Sequence, residues 1–147
     1  MKKNVTLKTL NIGEEQKILE MIRSDEILSD TFGTGIDRMY RLAETTYAAI
    51  IKDGNTPVGF IMMADPHQTD THEIDIGILK DYQKQGYGSE ALKLLKEIII
   101  NNHIKTSVQV NKCNIPAIKT VTNNRFTLVN SDENYNFYTL ETKGTQK

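Results

Sequence analysis

The stretch Glu73-Ile74-Asp75-Ile76-Gly77-Ile78-Leu79-Lys80-Asp81-Tyr82-Gln83-Lys84-Gln85-Gly86-Tyr87-Gly88-Ser89-Glu90-Ala91-Leu92 switches its apolar period from two to about 3.6 across a turn with two glycines. Side chains alternate along a strand, so Ile74, Ile76 and Ile78 share one face while Glu73, Asp75 and Gly77 share the other. Past the turn, Ala91, Leu92, Leu95 and Ile99 recur at helical spacing, which predicts a helix from about Gly88 to Asn101. Thr106-Ser107-Val108-Gln109-Val110 then returns as a strand after Asn102-His103. A strand, turn, helix and strand in that order form a crossover, so the two strands are expected to lie side by side and parallel.

Upstream, Val5 to Leu10 reads as a half-buried strand. Asn11, with Glu14 three residues on, is placed to cap a helix carrying Ile18, Leu19 and Ile22. A second helical stretch runs from about Asp25 through Ile27, Leu28 and Phe32, breaks at Gly33-Thr34-Gly35 and resumes through Ile36, Met39, Tyr40 and Ala43. Tyr47 to Ile51 and Val58 to Met63 are apolar runs joined by Asp53-Gly54-Asn55-Thr56-Pro57, the chemistry of an antiparallel hairpin. Downstream, Asn114 is a cap for a short helix with Pro116 in its first turn and Ala117, Ile118 and Val121 facing inward. Phe126 to Val129 and Phe137 to Leu140 close the chain as strands, and Thr142 to Lys147 reads as a polar tail. The expected fold is a mixed α/β domain over residues 1–147 with about seven strands, mostly antiparallel, and about four helices.

Composition narrows the partners. The 147 residues carry 18 Lys and Arg against 19 Asp and Glu, a net charge of -1 that offers no field to recruit nucleic acid. No stretch approaches the roughly 20 apolar residues of a membrane span, and Met1-Lys2-Lys3-Asn4 does not lead into an apolar signal core. The single cysteine, Cys113, cannot close an internal disulfide, which fits a reducing, cytoplasmic setting. His67 and His72 with Asp65 and Asp70 fall in a polar connection without the spacing of a metal site, so no metal is expected.

A glycine turn that opens a helix has a direct chemical use. The first helical N–H groups lack internal acceptors, and with the helix dipole they hold an anion such as a phosphate without a basic side chain. Ser89-Glu90 follows Gly88, so the lysine and hydroxyl of a nucleoside-triphosphate loop are missing. Gly86-Tyr87-Gly88-Ser89-Glu90-Ala91 fits the relaxed dinucleotide pattern, yet the acid needed roughly 20 residues later is absent from Val108-Gln109-Val110-Asn111. The pattern also falls too late in the chain for the remaining units of a dinucleotide fold.

Gln83-x-x-Gly86-x-Gly88, after an alternating strand and opening a helix, resembles the acyl-CoA signature of the GCN5-related N-acetyltransferase (GNAT) superfamily. Asn114 after a strand, then Ala117-Ile118 and Phe126, is similar to that family's Asn-x-x-Ala segment. The resemblance spans about Glu73 to Leu140 and implies a GNAT-like fold with acetyl-CoA as acyl donor. It assigns the coenzyme's diphosphate to Gln85, Gly86, Tyr87 and Gly88, with Lys84 and Ser89 in the same turn and the Gln83 side chain supporting it. It implies Ile78 and Leu79 as backbone partners of the pantetheine arm and Asn114 as a contact of the arm or an anchor of the adjacent helix. Lys80, Lys84 and Lys119 are the cations near the implied phosphates.

Acyl transfer to an amine needs a base for the ammonium, a donor for the thioester oxygen and an acid for the leaving thiolate. Glu73 and Asp75 are the base candidates, Glu73 preferred, and the oxyanion donor is expected from backbone near Ile78. The family often has a tyrosine on the helix after Asn114, but Val121 occupies that position here. The usual glycine before the phenylalanine is Arg125, with Asn124 beside it suited to a left-handed turn. Tyr135 and Tyr138 near the last strand are the substitutes, Tyr138 being the named candidate. The implied acceptor is a small-molecule or peptide amine entering against Leu28 to Tyr40 and the last two strands, near Asp25, Glu26, Asp30 and Asp37. A noncatalytic acyl-CoA-binding module is the rival reading, and a homodimer is left open.

Overall fold

The computed structural model of the chain describes residues 3–11, 13, 14, 16–32, 45–65, 68 and 70–140. They form β1 (Val5–Thr9), α1 (Gln16–Ser24), α2 (Glu26–Phe32), β2 (Thr45–Asp53), β3 (Thr56–Ala64) and β4 (Thr71–Ile78). A 3-10 turn (Lys80–Tyr82), α3 (Tyr87–Asn101), β5 (Lys105–Asn111), α4 (Ile115–Asn123), β6 (Thr127–Ser131) and β7 (Tyr135–Thr139) follow. The continuation expected through Ile36, Met39, Tyr40 and Ala43 lies outside the described residues, as do Asp37, His67 and the tail from Thr142.

The strands assemble into one seven-stranded sheet in the order β1-β2-β3-β4-β5-β7-β6. Only β4 and β5 are parallel, as the crossover through α3 requires, and the other neighbours are antiparallel. With four helices among the described residues, this is the mixed, mostly antiparallel fold expected from the sequence.

Both faces of the central strands are covered. Ala49, Ile51, Ile61, Met63 and Ile74 pack with Ala91, Leu92, Leu95 and Ile99 of α3. On the opposite face Ala48, Ile50, Phe60 and Met62 pack with Ile18, Leu19 and Ile22 of α1 and Leu28 of α2. Burial on both sides explains why β2 and β3 read as unbroken apolar runs. Gly77 belongs to the α1 and α2 face, where a Cβ would lie 2.4 Å from the Phe60 ring and 2.9 Å from Leu28. A side chain there would hold Phe60 and Leu28 off the strand.

Local chemistry sets the ends of these elements. Gly54, at φ 61°, lets β2 fold back into β3 across Gly54-Asn55. Before α1 the Asn11 N–H donates to Glu14 Oε1 at 2.8 Å, the bond that a carboxylate three residues on makes in a capping box. Asp25 caps α2, its Oδ1 accepting the Leu28 N–H at 3.1 Å. No helix among the described residues is long and apolar enough to cross a membrane.

Candidate active site

The parallel pairing of β4 with β5 has three rungs, Thr71 with Lys105, His72 with Thr106 and Glu73 with Ser107. Beyond Glu73, β4 continues alongside β3 to Ile78, while β5 continues alongside β7 from Val108 to Asn111. The two strands therefore part after the Glu73–Ser107 rung and leave a wedge between them.

The Leu79 N–H donates to the Val58 carbonyl at 2.9 Å, which fixes the phase of the β3–β4 ladder. By strand alternation Glu73, Asp75 and Gly77 then direct their backbone groups toward β3, and Ile74, Ile76 and Ile78 direct theirs toward the wedge. Of the two backbone partners expected for the pantetheine arm, Ile78 directs its groups to the wedge and Leu79 does not. Leu79 is engaged inside the fold, since its carbonyl also accepts the Tyr82 N–H at 2.8 Å. Ile76 and Ile78 are the edge positions, and the Ile78 carbonyl accepts Gln83 Nε2 at 3.0 Å, bracing the turn against the strand.

The turn leads to the wedge mouth with two left-handed residues, Lys84 at φ 64° and Gly86 at φ 87°. Gly86 caps α3 without a side-chain bond, and the helical ladder begins with the Glu90 N–H to the Gly86 carbonyl at 3.1 Å. The N–H groups of Gly86, Tyr87, Gly88 and Ser89 precede that ladder. A Cβ on Gly88 would come no nearer than 3.8 Å to Ile78 or Thr120 and 3.9 Å to Ile76, so this residue lies between β4 and α4. Gln85 Nε2 donates to the Asp81 carbonyl at 3.3 Å, and Lys84 is exposed.

Other side chains of the turn face inward. Tyr87 is 6% exposed and its hydroxyl donates to Asp53 Oδ2 at 2.5 Å. That hydroxyl, with the Asn4 N–H, holds the Asp53 carboxyl below the usual carboxylate range, and the same bond raises the Tyr87 phenol. Ser89 Oγ and its carbonyl accept the Asn124 amide at 3.2 and 3.1 Å. Asn114 caps α4, its Oδ1 accepting the Ala117 N–H at 3.2 Å.

Glu73 and Asp75 are half-buried on the α1 and α2 face of β4. Glu73 stands at the wedge vertex opposite Ser107, and Asp75 lies two residues nearer the mouth, opposite Met62. Tyr138, expected as a proton donor, is 3% exposed and packs within the α3-side core, its hydroxyl accepting the Asn136 amide at 3.2 Å. A hydroxyl lining an open wedge would be accessible, so the structure makes Tyr138 a core residue. Val121 is buried in the same core and offers no proton. The left-handed turn after α4 falls on Arg125, at φ 66°, and not on Asn124, at φ −92°.

Among the expected acceptor-side acids, Asp25 Oδ2 accepts the Lys80 N–H at 2.9 Å and Glu26 pairs with the Lys80 ammonium. That partner raises the Lys80 pKa and turns this cation toward α2. Cys113 is exposed, its N–H donating to Asn111 Oδ1 at 2.8 Å. Among the described residues no three His, Cys, Asp or Glu side chains group as metal ligands. Three residues have roles here that the sequence did not indicate: Asp53, Ser107 and Asn124. Asp53 lay inside a turn motif with a sufficient local explanation, and the other two depend on contacts distant in sequence.

The fold is similar to that of several acetyltransferases of known structure. The model of the acetyltransferase (GNAT) family matches residues 16–122, and the chain belongs to that family. No curated protein matches the sequence. The fold is similar to an acetyltransferase from Agrobacterium tumefaciens, at TM-score 0.71 and 15% identity over 96% of this chain and 93% of that one. It is also similar to a GNAT family acetyltransferase from Elizabethkingia anophelis with acetyl-CoA bound, at TM-score 0.66 and 16% identity over 95% and 99%. RimL, a ribosomal L7/L12 alpha-N-protein acetyltransferase in complex with coenzyme A, aligns at TM-score 0.67 and 13% identity over 95% and 94%.

Proposed function

We propose that this chain is a cytoplasmic N-acetyltransferase that transfers the acetyl group of acetyl-CoA to a primary amine of a small molecule or peptide by direct attack. The observation that carries the reading is the parting of β4 from β5 after Glu73 and Ser107, beside a helix that opens with unladdered N–H groups. The family match and the coenzyme named with two of the similar structures support it.

The residues present fit that coenzyme. The N–H groups from Gly86 to Ser89 are donors without helical acceptors, a Cβ on Gly86 would meet nothing within 4 Å, and Gly88 leaves room beside Ile76 and Ile78. Acetyl-CoA supplies the acetyl group as a thioester. The first turn of α3 holds the diphosphate through backbone donors, with Gln83 bracing the turn. Ile76 and Ile78 align the pantetheine arm along the strand edge much as a further strand would lie. Asn114 fixes the start of α4 at the other side of the wedge.

Glu73 takes the ammonium proton, leaving a nitrogen lone pair for the carbonyl carbon. Backbone N–H near Ile78 donates to the carbonyl oxygen as it gains charge. The new C–N bond forms as the C–S bond breaks, the nitrogen loses its second proton to water, and water returns one proton to the thiolate, since Val121 and Tyr138 are buried. Titrating acetyl-CoA by calorimetry and following thiol release over polyamines, amino acids, aminoglycosides and peptide N-termini tests the proposal. No binding at millimolar acetyl-CoA would sink it. The buried Val121 favours a second reading, a noncatalytic acyl-CoA-binding module, which would bind the coenzyme and release no thiol with any amine.

A further inference from the structure

Tyr87 is the first residue of α3, so its amide belongs to the group of donors at the wedge mouth while its side chain points into the fold. The hydroxyl ends on Asp53 Oδ2 at 2.5 Å, the ring meets Tyr82 edge-on at 6.1 Å, and the Lys3 ammonium stands 5.4 Å from the ring centroid. Asp53 is itself fixed. It ends β2, pairs with Val5 of β1 and Thr56 of β3, and its Oδ1 accepts the Asn4 N–H at 2.9 Å. Gly86, by contrast, brings no side chain to hold the start of the helix. One phenol–carboxylate bond therefore ties the first residue of α3 to the end of β2.

Resting on the acetyl-CoA reading above, we infer that Asp53 is a positioning residue for the coenzyme's diphosphate, acting through Tyr87 to hold the first-turn N–H groups of α3 in register. A donor array binds an anion well only when each N–H is within about 3 Å of its oxygen, so small displacements of the helix start weaken several bonds together. The Asp53 carboxylate would repel a nearby diphosphate if left bare. The Tyr87 hydroxyl and the Lys3 ammonium beside it offset that charge.

Tyr87→Phe keeps the ring packing and removes only the bond. It is expected to raise the KM and Kd for acetyl-CoA about three- to tenfold, the scale of one hydrogen bond, with kcat within about twofold. Asp53→Ala should do the same, Asp53→Asn should lose less because an acceptor remains, and the Asp53→Ala, Tyr87→Phe double variant should be no worse than the poorer single. Tyr47→Phe, which removes a hydroxyl 3.2 Å from Thr9 Oγ1 in the same sheet, is the control and should leave acetyl-CoA binding unchanged. If the wild-type protein does not bind acetyl-CoA, the functional reading fails first. If it binds and Tyr87→Phe binds equally well, or if the two losses simply add, the positioning role of Asp53 is overturned. Faster hydrogen exchange at the Gly86 to Ser89 amides of Asp53→Asn supports it independently of turnover, and unchanged exchange there counts against it.

Discussion

The side-chain amide of Asn124 donates to the Ser89 carbonyl at 3.1 Å and to the Ser89 hydroxyl oxygen at 3.2 Å, joining the end of α4 to the first turn of α3. The same nitrogen reaches the Thr120 carbonyl at 3.0 Å, and Asn124 is 5% exposed. Removing this amide takes a donor from three part-buried oxygens. Asn124→Ala should cost about 1–3 kcal/mol, seen as a lower urea midpoint with an unchanged slope. A midpoint within error of wild type would mean that water replaces the amide.

Arg125, next in sequence, takes the left-handed conformation at φ 66° that commonly falls to glycine, and its N–H donates to the Thr122 carbonyl at 3.0 Å. An L side chain pays about 1–2 kcal/mol there, while glycine gives back part of that gain by loosening the unfolded chain. Arg125→Gly is therefore expected to stabilise the fold by about 0.5–1 kcal/mol in the same urea titration. Destabilisation would show that the Arg125 side chain holds contacts worth more than the strain.

These neighbours show where reading the sequence succeeds and where it stops. Ile74, Ile76 and Ile78, Gly86 before an amphipathic run, and Asn114 before Pro116 are local patterns, and each led to its element because the forces involved act within a few residues. Glu73 was legible as an acid on a strand, but its place at the vertex depends on Ser107 and on where two strands part. Leu79 reads as a strand-edge residue, while its N–H is taken by Val58, a partner distant in sequence. Tyr138 read as an available hydroxyl because strand periodicity does not say which face α3 will cover. Asp53 meets Tyr87 across 34 residues of chain, and nothing in its hairpin motif announces that partner.

Three carboxylates give the fold a defined acid limb. The Tyr87 hydroxyl lowers the Asp53 pKa, the Asn11 N–H and Lys17 lower that of Glu14, and the Tyr135 and Asn134 N–H groups lower that of Asp132. Each folded value lies below its unfolded one, so the folded chain binds fewer protons as the pH falls past about 4. Their contribution is present above that pH and is lost as the pH drops through the folded values. Tyr87 has the opposite sign: its raised phenol contributes fully below about pH 10 and the contribution is lost as the pH rises through the folded value. Urea midpoints from pH 7 down to 3 should fall, and Asp132→Asn, which keeps the acceptor without the titrating charge, should fall less steeply. An equal slope in the variant would remove Asp132 from this account.

Glu73 and Tyr138 make opposite predictions for the proposed transfer. Glu73 stands where β4 and β5 separate, on the face away from the glycine-turn helix, the side from which the proposed amine would approach. Glu73→Gln keeps the size and hydrogen-bonding capacity but cannot take a proton. With an amine identified by thiol release, kcat should drop about 10²- to 10⁴-fold while the KM for acetyl-CoA stays within about twofold. Asp75→Asn, nearer the mouth on the same face, should fall far less. If Asp75→Asn shows the larger loss, the base is Asp75 and the vertex position of Glu73 is structural. Tyr138→Phe removes a hydroxyl that meets the Asn136 amide within the fold, and kcat should remain within about twofold of wild type. A loss of kcat there as large as that of Glu73→Gln would mean that the core around Tyr138 opens during turnover and returns this phenol to the reaction as the acid for the departing thiolate.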